Sequence, residues 1–414
     1  MFTEADKQQI EEHGLTVEQV EGQLERFRKG FPAIALDRPC TVGDGILRVP
    51  EGEHATLIAL HERAAAAGRM MKFVPASGAA TRMFRELLVF YQQEPPPKLL
   101  TPELTRFFTL LHSFPFYEDL KAVMHRHGQD IDSVLAAQDY ALILKYLLTE
   151  AGLDYRQSPK ALIPFHLDRT GAHTAVAEQM AEACATIQDA KHVNRLHFTV
   201  SPQFQDAIAA EAARQSSEGV GTASRFEVTY STQASDTDTI AVDLGNQPFR
   251  DEQGRLVFRP GGHGALLRNL DALPGDIVFI KNIDNVVPAS RLPEQALHKK
   301  ILGGLLVQTQ ETIFNWIEKL SAPSSTQAPA QETLAAARHF LETGLGIQLP
   351  ALNRPQSAAD EARRIRETLD RPLRICGVVK NVGEPGGGPF WVKKADGTLS
   401  KQLIESTQVH RSDP

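Results

Sequence analysis

Cysteine is scarce in this chain: Cys40, Cys184 and Cys376 are odd in number, far apart and without any C-x-x-C spacing. That pattern offers neither a disulfide framework nor a thiolate zinc site and points to a reducing compartment. An excess of positive charge is missing too, because the formal net charge is −7. A broad electrostatic grip on nucleic acid or anionic lipid needs clustered Lys and Arg, so any polyphosphate would have to be held by a local pocket. No apolar run approaches the length of a membrane span, and Met1-Phe2-Thr3-Glu4-Ala5-Asp6 is polar where a leader peptide is apolar. A cytoplasmic protein with no nucleic-acid or membrane partner is therefore expected. Neither a Walker phosphate loop nor a complete dinucleotide-binding glycine fingerprint occurs.

What is present is an ordinary globular composition, 42% hydrophobic and 23% charged over 414 residues, enough for one elaborated domain or one domain with helical additions. Thr16 and Gln19 have capping-box spacing, and Val17, Val20, Leu24 and Phe27 follow three and four apart, which predicts a helix before Gly30. Residues 1–70 read as a mostly helical region. Residues 71–300 read as an α/β core, interrupted at about 95–152 by a helical insertion carrying Phe107, Phe108, Leu111, Leu142, Ile143, Leu147 and Leu148. Within the core, strands are expected at 71–75, 196–200, 225–230 and 276–281, with helices at about 81–93, 172–188 and 203–216. Such alternation predicts a mainly parallel sheet with helices on its faces. Residues 301–370 read as helices and a linker around 324–329, and 371–414 as a strand at 373–379 and a hairpin near Asp396-Gly397 that return to the core.

Five segments carry side chains or backbone suited to chemistry. Val74 to Arg82 contains Ala76, Ser77, Gly78, Ala79 and Thr81, whose small size lets the backbone approach an anion, with Arg82 placed to clamp phosphate oxygens. A tight strand-to-helix turn with a surface arginine accounts for the same residues. Lys160 stands in a proline-framed loop, where it either neutralises phosphate or is simply solvated, and His166 follows it. Gly261, Gly262, His263 and Gly264 allow close contact with a flat base or a sugar; a flexible loop explains them equally. Asp284 directly follows an apolar strand, at the end where open α/β sheets place ligands, and would hold Mg²⁺ there or else serve a turn. Finally, the glycine-rich stretch 377–388 carries Lys380 and Glu384, with Glu405 beyond it; the lysine suits a phosphate and the glutamates a metal or surface ion pairs. His197, on an apolar strand, reads as a core histidine.

In their order these segments resemble the sugar-phosphate nucleotidyltransferases of the GT-A type, particularly the UDP-sugar pyrophosphorylase branch, and the chain also looks like a member of an uncharacterised bacterial family grouped with them. Pro75 to Arg82 stands where those enzymes have Leu-x-Gly-Gly-x-Gly-Thr-Arg, with Ser77 and Ala80 in place of two glycines. Lys160 matches their Pro-Lys, Pro260 to Gly264 their base loop, and Asp284-Asn285 their metal motif. The resemblance covers about residues 70–300 and implies a three-layer, Rossmann-like nucleotidyltransferase fold. It implies transfer from a UTP-like nucleoside triphosphate to a sugar 1-phosphate with Mg²⁺. Arg82, Lys160 and Asp284 would be catalytic, Asp284 and Glu405 metal-holding, and Lys380, Asn285 and Glu384 near the sugar phosphate. Two rival readings are a silent nucleotide-sugar binding protein and a GT-A glycosyltransferase using Asp236-Thr237-Asp238.

Overall fold

The computed structural model describes residues 2–93, 99–218, 224–321, 330–350, 357–382 and 386–409. They group into two compact units, residues 1–25 with 65–296 and residues 26–64 with 297–414.

The first unit is a mixed α/β structure around a four-stranded parallel sheet. Its strands are β1 (Met70–Pro75), β2 (Val193–Thr199), β3 (Arg225–Ser231) and β4 (Ile277–Ile280), in spatial order β4-β1-β2-β3. Central strand β1 is buried at every position, as expected of a parallel strand covered on both faces. Its register fixes the sheet: Ile280 stands opposite Phe73, and Phe73 opposite His197. Helices α1 (Ala175–Thr186) and α2 (Gln205–Glu218) lie between the strands in sequence. The Thr174 hydroxyl accepts from the Ala177 amide and starts α1.

That start corrects one expectation. A helix from 172 was expected, but Gly171–Thr174 is a strand paired with Pro164–Asp168.

Between β1 and β2 lie helices Pro102–Thr109, Tyr117–Arg126, Ile131–Ala136 and Tyr140–Leu148. Leu111, Leu120, Met124, Ile143 and Leu147 are fully or almost fully buried in their core, which also takes in Ala80 and Phe84. The turn after the insertion leads towards Lys160 and leaves no room for a side chain at Gly152. A Cβ there would lie 1.9 Å from the Tyr146 carbonyl oxygen. Gly152→Ala is therefore expected to cost about 1–3 kcal/mol, read as a lower midpoint in urea unfolding.

The second unit holds an antiparallel sheet. Strands Gly387–Lys393 and Leu399–Glu405 form the expected hairpin, and Leu36–Pro39 and Ile347–Gln348 flank it. Ile313 and Leu320 of the long helix Leu292–Leu320 pack with Leu334, Leu341 and Ile365. Here the C-terminal expectation fails: residues 373–379 form no strand, and Val379 is 90% exposed. The hairpin pairs within this second sheet and not with β1 to β4. Apolar, β-branched residues make a strand only where a partner strand is available, and among the described residues Leu373 to Val379 have none. The first seventy residues are also less helical than expected, since Leu36–Pro39, Thr41–Val42 and Gly45–Ile46 are short strands. The linker expected around 324–329 lies outside the described residues. Among the described residues, no helix is long and apolar enough to cross a membrane.

Candidate functional site

Strand β1 runs out at Pro75 and the chain turns through Ala76 to Ala79. The Ala76 amide donates to the Thr199 carbonyl (2.8 Å), and the Ser201 hydroxyl donates to the Ser77 carbonyl (3.1 Å). Sequence spacing treats the Gly78 loop and the Lys160 loop as separate features, yet they are hydrogen-bonded together. The Lys160 amide donates to the Gly78 carbonyl and the Ala80 amide to the Ser158 carbonyl, each at 3.2 Å. Among the described residues the amides of Ser77, Gly78 and Ala79 donate to no backbone carbonyl. Gly78 and Ala79 are exposed, as is Thr81.

The helix expected from Thr81 differs. Ala80–Arg82 is a 3-10 turn, and the α-helix spans only Arg85–Tyr91. The Ala80 methyl, where the resembling loop has glycine, is 0% exposed and packs into the core of the insertion. Of Arg82 only its place in the turn is described.

Past the end of β4 the ladder continues three residues further: the Lys281 amide donates to the Phe73 carbonyl (3.1 Å) and the Ile283 amide to the Pro75 carbonyl (3.0 Å). The Asn285 amide then closes a turn onto the Asn282 carbonyl at 3.1 Å. Gln179 of α1, wholly buried, donates to the carbonyls of Asn282 and Ile283 at 2.8 and 3.2 Å. Asp284 is thereby held where its carboxylate meets the Lys160 ammonium at 2.6 Å. The two residues are 124 apart in sequence, and both side chains stay partly exposed.

Below this turn lies a cluster that sequence reasoning missed. Lys72, in the middle of β1, is 1% exposed and Glu182 of α1 is 3% exposed. The Lys72 ammonium meets one Glu182 oxygen at 2.6 Å, and the Lys281 ammonium bonds the other oxygen. Lys72 also donates to the Gln179 carbonyl (2.9 Å) and Lys281 to the Gln295 side chain (3.1 Å). One carboxylate thus ties β1, α1 and the tail of β4 together. The available signal was a lysine inside the apolar run Met70-Met71-Lys72-Phe73-Val74, since a charge at a fully buried strand position must have a partner.

Other expected site residues fall elsewhere. A Cβ on Gly261 would meet the Thr237 carbonyl oxygen and the Ala265 Cβ at 3.0 Å, so a side chain there would be crowded. Gly262, His263 and Gly264 are exposed. No hydrogen bond or ion pair among the described residues ties this loop to the Lys160–Asp284 pair. Asn285 is exposed beside Asp284. Lys380 and Glu405 belong to the second unit, where Lys380 is exposed and in no strand. Glu405 caps the turn Ser406–Gln408. Glu384 lies outside the described residues. Asp236 and Asp238 are engaged by Arg268 and by His13 at 3.0 Å, which accounts for both carboxylates of that motif. His166 meets Glu178 at 2.6 Å, and burial pushes the Glu178 carboxyl upward against the lowering effect of His166.

Whether Mg²⁺ suits the Asp284 position turns on the donor set. Among the described residues no three His, Cys, Asp or Glu side chains converge as a metal cage. Asp284 supplies a single carboxylate at the strand ends. Mg²⁺ keeps several waters and is commonly held by one or two carboxylates together with substrate phosphates. The residues therefore fit a Mg²⁺ that shares its coordination with phosphate oxygens, and not a metal held by the protein alone.

Residues 3–414 match the family described as "Domain of unknown function (DUF4301)". Among solved structures, the chain is similar to a uridine diphosphate N-acetylglucosamine pyrophosphorylase from Trypanosoma brucei, with 13% sequence identity and a TM-score of 0.40. That match covers 74% of this chain and 50% of the other, so the chain spans about half the length of the solved one. No curated protein matches.

Proposed function

The chain belongs to the DUF4301 family, and from the geometry at its strand ends we propose that it is a sugar-phosphate nucleotidyltransferase of the three-layer GT-A type. A sugar 1-phosphate oxygen attacks the α-phosphorus of a UTP-like triphosphate, the bond to the β-phosphate oxygen breaks, and pyrophosphate leaves. The observation that carries this reading is the Lys160–Asp284 pair at the ends of β1 and β4, bonded through its own loop to Gly78. Ligands of open α/β sheets bind outside these carboxyl ends.

In this reading the Ser77, Gly78 and Ala79 amides donate to phosphate oxygens, and Lys160 turns from Asp284 to the incoming negative charge. Arg82 meets the departing pyrophosphate. Gly261 to Gly264 border the base, and Asn285 contacts the sugar phosphate. Asp284, released from Lys160, would hold Mg²⁺ jointly with the phosphates. When bound, the metal supplies charge neutralisation for the crowded phosphates. No general base is required, because a phosphate monoester is already anionic near neutrality.

Lys160→Ala is expected to weaken binding of phosphorylated ligands about 10- to 100-fold, the worth of a charged hydrogen bond. The same change should barely move the melting temperature, because a partly exposed ion pair contributes little to folding. Titration of the native protein and the variant with nucleoside triphosphates tests this, and unchanged affinity removes Lys160 from the site. A second reading, a silent nucleotide-sugar binder, is favoured by one fact: cation and carboxylate already satisfy each other at 2.6 Å. Pyrophosphate release from a panel of triphosphates and sugar phosphates separates the two.

A further inference from the structure

A second site lies on the other side of the sheet order, at the end of edge strand β3. A cavity of about 380 Å³ is lined by His197, Ser231, Asn269, Arg268 and the apolar wall Ala272 to Pro274. Asn269 belongs to the short helix Leu267–Asp271. None of these residues enters the nucleotidyl-transfer reading.

The hydrogen bonds around Ser231 have a determinable direction. The Thr232 carbonyl only accepts, so the Asn269 atom 2.9 Å from it is the amide nitrogen. That same NH₂ group reaches the Ser231 hydroxyl oxygen at 2.7 Å and donates to it. The serine proton is then directed to its remaining partner, His197 Nε2, at 2.7 Å. His197 is 6% exposed, and burial lowers its basicity, which keeps the ring neutral. With Nε2 accepting, the ring proton sits on Nδ1 and is donated to the Thr229 hydroxyl at 2.8 Å. Stacking on Phe73 at 5.7 Å between centroids fixes the ring plane. The arrangement contains a hydroxyl, a neutral imidazole in the accepting tautomer, and a group that holds that tautomer. Two further polar atoms nearby have no hydrogen-bond partner among the described residues: the Asn269 carbonyl oxygen and the hydroxyl of the wholly buried Thr199.

We propose that Ser231 is a nucleophile activated by His197, in a cavity suited to a carboxylic ester with a short acyl group. The Ser231 oxygen bonds to the ester carbon while its proton passes to His197 Nε2. The ester C–O bond then breaks, and the departing alcohol takes that proton. Water releases the acid by the reverse sequence, its proton passing through His197 and a proton returning to Ser231. Arg268 also lines the cavity, with its guanidinium held by Asp236. Thr229 orients the imidazole without adding a negative charge to stabilise imidazolium, so the centre is slow beside one with a carboxylate.

The test uses the full-length protein and a fluorophosphonate probe. The serine oxygen bonds to phosphorus, fluoride leaves, and the proton passes through His197 to solvent. One probe per chain at Ser231, located by peptide mass mapping, is the expected result. Ser231→Ala should take up none. His197→Gln should slow labelling about 100-fold or more, the usual contribution of a positioned general base. If His197→Gln does not fold, as judged by its melting curve, Thr229→Val takes its place and should also slow labelling, because the imidazole loses the partner of its Nδ1. Absence of label at Ser231 in the native protein overturns the proposal. So does a labelling rate that the folded variant leaves unchanged.

Discussion

Asp284→Asn is expected to leave a folded protein whose magnesium-dependent nucleotidyl transfer has fallen by about two orders of magnitude or more. The substitution keeps the shape of the side chain and removes only the charge that would share Mg²⁺ with the phosphates. Stability should change little. The ion pair with Lys160 is partly exposed on both sides, and such pairs are worth about 1 kcal/mol or less. The turn that carries Asp284 is held instead by the backbone bonds of Ile283 and Asn285 and by Gln179. Loss of Asp284 also frees Lys160, so nucleotide binding without metal should tighten while turnover collapses. Melting temperature, metal-free nucleotide affinity and pyrophosphate release on one preparation check all three. A destabilised variant that keeps full activity would reduce Asp284 to a turn residue.

The largest expected effect on stability belongs to Glu182. Glu182→Gln leaves the ammonium groups of Lys72 and Lys281, 1% and 7% exposed, without the carboxylate that bonds both. Breaking one member of such a buried network typically costs about 3–5 kcal/mol. The triple change of Lys72, Glu182 and Lys281 to methionine removes every charge together. It is expected to be more stable than Glu182→Gln alone, because apolar replacement of a buried ion network is often close to neutral. Urea unfolding of the native protein and the two variants measures the difference. If Glu182→Gln melts like the native protein, the cluster is not what fastens β1, α1 and the tail of β4.

The cluster also bears on the proposed activity. Lys281 begins the four-residue segment that ends at Asp284, and Gln179, which accepts from Lys72, holds the two carbonyls between them. A variant that weakens this anchorage should therefore lose transfer activity before it loses the fold. The proposed nucleophile is separate: Ser231 and His197 are absent from these bonds, so labelling at Ser231 should survive Asp284→Asn.

Some of this molecule was legible from local sequence alone. The unbroken apolar run at β1, the capping pair Thr16 and Gln19, and the turn at Asp396-Gly397 all act over a few residues, and each is found where expected. The parallel arrangement followed from alternation of strands and helices, and Asp284 at a strand end followed from its position after an apolar run. Tertiary structure decided what lies far apart in sequence. That Lys160 meets Asp284 depends on β4 pairing with β1 in one register, and a period of two or 3.6 residues contains no record of sheet order. The partners of Lys72 come from α1, and those of Ser231 from β2 and the helix at 267–271, for the same reason. Residues 373–379 show the converse: their composition suits a strand, but a strand exists only where another backbone is free to pair with it, and only the assembled fold settles that.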